Sequence, residues 1–64
     1  MKWTDIEDIA EQLENKNPDM DVYSLRFTLL RKMVVELDGF EDDADKCNER
    51  ILEAIQAEWI ALRE

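Results

Sequence analysis

Apolar residues return every three or four positions in three separate segments of the chain, which is the spacing of a helix that buries one face. Charged and amide side chains fill most of the positions between them. The pattern therefore predicts three amphipathic helices that share one core. The predicted core positions are Ile6, Ile9, Ala10 and Leu13 in the first segment, Leu30, Met33, Val34 and Leu37 in the second, and Ile51, Leu52, Ile55, Trp59 and Leu62 in the third.

Residues that favour helix ends and turns bound the first segment. Thr4 and Glu7 have the spacing of a capping box, so the first helix is expected to start at Asp5. Pro18 is expected to end this helix, because the residue before a proline is disfavoured in a helical conformation. The turn chemistry that follows predicts one short helical turn over residues 22–24.

The other two helices have boundary residues of the same kinds. Residues 25–27 are expected to be extended, and Thr28 is expected to cap the second helix. Gly39 is expected to stop that helix, since glycine accepts the left-handed conformation that commonly follows a helix end. Phe40 is expected to tuck under the domain, and Asp45 to cap the third helix.

Together these elements predict a single small domain over residues 1–64. Three helices, a short turn and one extended segment favour a mainly all-α bundle of winged-helix type, in which any sheet is minimal. No uncharged run exceeds four residues, the length of residues 27–30, which is too short to cross a bilayer. The chain does not open with a basic segment followed by an apolar run, and its single cysteine cannot form an internal disulfide. A cytoplasmic location is therefore expected.

The charge balance narrows the classes of partner. The chain has eight Lys and Arg residues, seventeen Asp and Glu residues and no histidine, which gives a formal charge of −9. Binding to nucleic acid or to an anionic membrane normally depends on clustered Lys and Arg, so neither is expected here. Basic proteins and cations are the expected partners of a monomer.

The composition also excludes several kinds of site. Without histidine, Cys47 lacks the usual base of a nucleophilic dyad, and one cysteine cannot hold structural zinc within a single chain. A single glycine cannot form a glycine-rich phosphate loop, and an EF-hand loop counted back from Gly39 would begin at Val34. We therefore expect a protein that is not an enzyme.

Carboxylates are the chemistry that the sequence does offer. Between Glu36 and Asp45 six of ten residues are acidic and none is basic. Such a patch can be a hydrated surface, can steer a basic partner, or can hold a hard cation weakly through oxygen ligands. Glu41, Asp42 and Asp43 are expected to stay hydrated and are the candidate metal ligands. The candidate partner-binding residues are these three together with Asp5, Asp8 and Glu11 on the first helix and Glu49 and Glu53 on the third.

Several short motifs, in order and without gaps, resemble one family over essentially the whole chain. They are Lys2-Trp3-Thr4-Asp5, Pro18-Asp19-Met20-Asp21, Arg26-Phe27-Thr28, Phe40-Glu41-Asp42-Asp43 and the run from Asn48 to Ile55 followed by Trp59. Each motif alone is weak, but the set is similar to the IscX family, the small acidic proteins of bacterial iron–sulfur cluster assembly. The chain departs from the family pattern at Leu29, where an acid is usual, and at Arg31, where a histidine is common.

The resemblance implies a modified winged-helix fold and a role as an adaptor that is not an enzyme. Family members dock on the cysteine desulfurase, modulate its activity, and bind ferrous iron weakly through surface carboxylates. They have also been proposed to donate iron to the cluster scaffold protein. An alternative from a different class is an acidic module that mimics the charge of nucleic acid and occupies a nucleic-acid-binding protein. A mimic would compete with DNA for its target, whereas the adaptor would change desulfurase turnover.

Overall fold

The computed structural model describes all 64 residues as three α-helices and one short 3-10 turn, without β-strands. Helix α1 spans Ile6–Lys16, α2 spans Phe27–Val35 and α3 spans Glu49–Arg63, and the 3-10 turn covers Ala44–Lys46. The predicted three-helix, all-α fold is confirmed. No strand pair that could form a wing is present. None of the helices combines the length and the apolar character needed to cross a membrane.

The core consists of twelve buried apolar residues drawn from all three helices and from the loops. The hydrophobic periodicity predicted most of them, because nine of its thirteen positions are fully buried. Of the other predicted positions, Ile6, Met33 and Ile51 are half-buried. Leu62 is 42% exposed, since it lies in the last turn of α3 beyond the last core residue, Trp59. The loops and the N-terminal segment add Trp3, Val22 and Leu25.

The helix starts differ from those predicted. Asp5, not Thr4, is the N-cap of α1, and its carboxylate accepts a hydrogen bond from the backbone N–H of Lys2 at 2.8 Å. Neither side-chain bond of the predicted capping box between Thr4 and Glu7 forms. Helix α2 begins at Phe27, one residue before its predicted cap, after an extended Arg26.

The third helix also starts later than predicted. Asp45 lies inside the 3-10 turn, where its N–H donates to the Asp43 carboxylate at 2.9 Å. The helix is capped instead by Asn48, whose side-chain oxygen accepts from the N–H of Ile51 at 2.9 Å. Residues 22–24 are not helical and form a turn closed by the N–H of Leu25 on the Val22 carbonyl.

Gly39 occupies a turn rather than the end of α2. The helix ends at Val35, and the chain then turns so that the N–H of Phe40 donates to the Leu37 carbonyl at 3.2 Å. Gly39 has a φ of +83°, and no residue other than glycine has a positive φ in this chain. The turn brings Phe40 against Trp3, with the ring centroids 4.9 Å apart in an edge-to-face arrangement. Phe40 is therefore half-buried against the core, as predicted.

The Gly39→Ala substitution should lower the free energy of unfolding by about 1 kcal/mol. A Cβ at this position would contact no atom within 4 Å, so the cost comes from the backbone conformation alone. Urea unfolding followed by circular dichroism measures the change. Asp38→Ala, at the preceding exposed position, is the control and should change stability by less than about 0.5 kcal/mol. Equal stability of the Gly39→Ala variant and the native protein would contradict the role of the positive φ.

Candidate functional site

The N-terminal segment is held against the acidic loop, which we define as residues 41–43. The buried Trp3 donates its indole N–H to the Asp43 carbonyl at 2.8 Å, and its backbone N–H to Asp42 Oδ2 at 3.2 Å. The N–H of Glu41 donates to the carbonyl of Met1 at 2.9 Å. Three hydrogen bonds to N-terminal groups therefore set the position of the acidic loop.

Asp42 is the one carboxylate of this loop that faces the protein. Its side chain is only 14% exposed, and its Oδ1 accepts the N–H of Asp43 at 2.8 Å. The N–H groups of Asp43 and then of Trp3 lower the pKa of the Asp42 carboxyl, since they stabilise its charged form. The expectation that all three acids of the loop stay hydrated is therefore wrong for Asp42. Its partner Trp3 lies 39 residues earlier, and no local pattern relates them.

A second carboxylate, Glu14, holds the other end of the bundle together. Glu14 Oε1 accepts from the indole N–H of Trp59 and from Nε of Arg63, each at 2.9 Å. The Trp59 bond, supported by Arg63, lowers the pKa of Glu14. The Arg63 guanidinium, which also lies over the Trp59 ring, donates to three carbonyls of the loop after α1. Glu14 is thus a structural acid, and it was not among the predicted site residues.

These contacts define the two ends of the bundle. The N-terminal segment that leads into α1 meets the acidic loop, which leads through the 3-10 turn into α3. The end of α1 meets the end of α3 through Glu14, and Arg63 keeps the loop after α1 at that same end. The starts of α1 and α3 therefore lie with the acidic loop at one end of the molecule, and residues 17–20 lie at the other.

Most of the predicted partner-binding carboxylates have no bond within the chain. Asp5 and Asp43 are exposed, and each uses one carboxylate oxygen to accept a backbone N–H. Asp42 is the inward-facing exception. Among the eight predicted residues, those that are exposed and make neither a hydrogen bond nor an ion pair are Asp8 and Glu11 on α1, Glu41 in the acidic loop, and Glu49 and Glu53 on α3.

The carboxylates are spread over the surface rather than gathered around one point. No three Asp, Glu or Cys side chains approach closely enough to hold a metal ion together. In the acidic loop, both oxygens of Asp42 already accept backbone N–H groups, which leaves Glu41 and one oxygen of Asp43 free. The residues present do not form a preassembled iron site. Their arrangement suits charge attraction to a basic protein surface.

The Asp42→Asn substitution should destabilise the protein at neutral pH, because the two N–H groups bind different oxygens of Asp42 and an amide places an NH2 donor where one of those oxygens was. The pKa of Asp42 is lowered by folding, so its contribution is present above the ordinary aspartate pKa of about 4 and is lost as the pH falls through the lower folded value. The stability difference between the native protein and the variant should therefore shrink below about pH 4.

Denaturant unfolding followed by circular dichroism over a pH series measures this difference. Asp8→Asn removes the same charge from an exposed acid without hydrogen bonds, and should change stability by less than about 0.5 kcal/mol. If Asp42→Asn were as stable as the native protein at neutral pH, the inward carboxylate would have no structural role.

Comparison with known proteins agrees with the motifs. The family model described as iron-sulphur cluster assembly matches residues 1–64, the whole chain. An uncharacterised protein of Pseudomonas aeruginosa is 47% identical over 64 residues, which cover 100% of this chain and 97% of that protein. Both matches span the three helices and the acidic loop. The chain therefore belongs to the IscX family of small proteins of iron–sulfur cluster assembly.

Proposed function

We propose that this protein is a non-catalytic adaptor that docks through its acidic surface on the cysteine desulfurase and thereby modulates sulfur delivery to the cluster scaffold. Membership of an iron–sulfur cluster assembly family supports a role in that system. The observation that carries the proposal is the set of exposed carboxylates without internal partners, part of it at the end of the bundle where α1 and α3 begin.

Free carboxylates suit electrostatic docking because they need not break internal bonds when they meet a cation. Glu41 is adjacent to Asp42, and hydrogen bonds between these two residues and the N-terminal segment already order the acidic loop. A partner that binds Glu41 therefore need not order the loop first. The formal charge of −9 would also accelerate encounter with a basic surface, in a manner that salt weakens. Docking of this kind needs no nucleophile, which fits a chain without histidine and with one cysteine.

The double reversal Glu41→Lys and Glu53→Lys should weaken binding to the cysteine desulfurase by roughly tenfold at low salt. Both side chains are exposed and unpaired, so the fold should be unaffected. Affinity and sulfide release are measured with the desulfurase from the same source, at a low and a physiological salt concentration. The loss should diminish at the higher salt, because exposed charges are then screened.

The matched control is Asp19→Lys with Asp21→Lys, which changes the net charge equally at exposed positions. Asp19 lies in the loop held at the opposite end of the bundle. This control should bind the desulfurase within about threefold of the native protein. If the two double variants lost the same amount of desulfurase affinity, binding would depend on the net charge of the protein and not on the surface that contains Glu41 and Glu53. No binding by the native protein would remove the desulfurase as partner, and competition with DNA for a basic target would then favour the charge-mimic alternative.

We also propose that ferrous iron binds weakly and exchangeably at Glu41 and the free oxygen of Asp43. Hard cations prefer oxygen ligands, and a site with so few fixed donors discriminates poorly between ferrous iron, manganese and magnesium. Asp42, the third candidate ligand, is not expected to contribute while its oxygens accept the N–H groups of Trp3 and Asp43. Desulfurase docking does not require this ion.

Anaerobic titration with ferrous iron, followed by nuclear magnetic resonance, should broaden the amide signals of residues 41–43 first. The Glu41→Gln and Asp43→Asn double variant should lose this broadening, while an asparagine can still accept the N–H of Asp45 and keep the 3-10 turn. The control is Asp19→Asn with Asp21→Asn, which removes the same charge elsewhere. Broadening that is spread over all acidic segments, or that persists in the Glu41→Gln and Asp43→Asn variant, would contradict this site.

A further inference from the structure

The outer face of α2 differs in charge from the rest of the molecule. Residues 22–35 contain neither Asp nor Glu, and this is the longest interval without an acid in the chain. Within it, Arg26 precedes the helix, and Arg31 and Lys32 lie on the exposed side of it. A protein with a formal charge of −9 therefore carries one helix that has only basic charges.

Apolar side chains lie exposed among these basic residues. Leu29 is 46% exposed and Val35 is 37% exposed, whereas Leu30 and Val34 of the same helix are buried. Residues three or four positions apart are neighbours on a helix surface. Leu29 therefore lies one turn from both Arg26 and Lys32, and Val35 lies one turn from both Arg31 and Lys32.

A shallow hollow of about 340 Å³ adjoins Val35, where α2 faces the 3-10 turn. Arg31 is fixed at its edge, since its guanidinium donates to the Ala44 carbonyl and to the Asp45 carboxylate, each at 3.2 Å. Lys32 lines the same hollow together with the exposed Glu36, one turn further along, and neither makes an ion pair within the chain. The hollow thus has apolar surface from Val35 and Ala44, one carboxylate from Glu36, and in Lys32 a cation that makes no ion pair within the chain.

We propose that this surface, the α2 face formed by Arg26, Leu29, Arg31, Lys32 and Val35, docks an acidic, leucine-bearing segment of another protein. Carboxylates of such a segment would pair with Arg26 and Lys32, and its apolar side chains would cover Leu29 and Val35. Burial of apolar surface supplies affinity, and the charges select an acidic partner. This surface is distinct from the free carboxylates assigned to desulfurase docking, and the inference does not depend on that assignment.

A short peptide fits this face better than other polyanions do. Double-stranded DNA or an anionic membrane extends well beyond one helix of nine residues, and would meet the surrounding carboxylates at the same time. A second copy of the chain would bring another charge of −9 with it, so repulsion between the two copies opposes self-association.

The test uses a labelled, end-blocked synthetic peptide in which leucines recur at helical spacing among glutamates, with fluorescence anisotropy at low salt. The native protein should bind it saturably. The double reversal Arg26→Glu and Lys32→Glu should weaken binding by at least roughly tenfold. The matched control Lys16→Glu with Arg50→Glu, at exposed positions on α1 and α3, imposes the same change of net charge and should bind within about threefold of the native protein.

The apolar contribution is tested by Leu29→Ser with Val35→Ser, which leaves every charge in place and should weaken binding by at least about fivefold. Circular dichroism confirms that each variant folds. The proposal would be overturned by no saturable binding by the native protein, equal losses in the two charge variants, unchanged binding in the serine variant, or tighter binding of DNA or anionic vesicles at the same face. Self-association that disappears with Arg26→Glu and Lys32→Glu would also overturn it, in favour of a contact between copies.

Measuring desulfurase binding and peptide binding on the same variants tests this inference separately from the proposed function. The variant with Arg26→Glu and Lys32→Glu should no longer bind the peptide but should still bind the desulfurase. The variant with Glu41→Lys and Glu53→Lys should bind the desulfurase more weakly but should still bind the peptide. Either proposal can then fail without the other, and a variant that lost both ligands would show that the two surfaces are not independent.

Discussion

A buried indole must find an acceptor for its N–H, and this requirement organises the whole domain. The core contains Trp3 and Trp59, both almost completely buried. Trp3 donates to the acidic loop, 40 residues away, and Trp59 donates to Glu14 on α1, 45 residues away. In a chain of 64 residues, these bonds join segments that are distant in sequence. The Trp59 indole binds the Glu14 carboxylate, and the Trp3 main-chain N–H binds the Asp42 carboxylate, so part of the negative charge serves the fold.

The acids consequently divide into two kinds. Asp42 and Glu14 accept N–H groups from tryptophans and their neighbours, and folding lowers the pKa of each carboxyl. Their charge is stabilised by fixed donors, which offsets part of the mutual repulsion among seventeen acidic residues. The exposed acids on α1, α3 and at Glu41 have no such donors. Their charge is balanced only by solvent and counterions, and it remains available to a partner.

Sequence periodicity was enough to predict the helices and most of the core, because a helix that buries one face must repeat its apolar residues every three or four positions. It was less informative about the helix ends. Asn48 and Asp45 are both good capping residues, and the choice between them depends on the 3-10 turn that Asp43 stabilises. The roles of Asp42 and Glu14 could not be predicted, since their donors are distant in sequence and a structural acid has the same local pattern as a hydrated one. The exposed α2 face could not be predicted either, because its sequence has an ordinary amphipathic pattern.

The inward orientation of Asp42 also bears on its neighbours. With both oxygens held by backbone N–H groups, Asp42 fixes the course of the acidic loop, and the main-chain bond from Glu41 to Met1 fixes the residue before it. Glu41 is therefore presented from an ordered backbone rather than from a mobile loop. A partner that binds it need not first immobilise the loop, so less conformational entropy is lost on association. In this way the hydrogen bond from the main-chain N–H of Trp3 to Asp42, which holds the fold together, also prepares the acidic surface for the proposed docking.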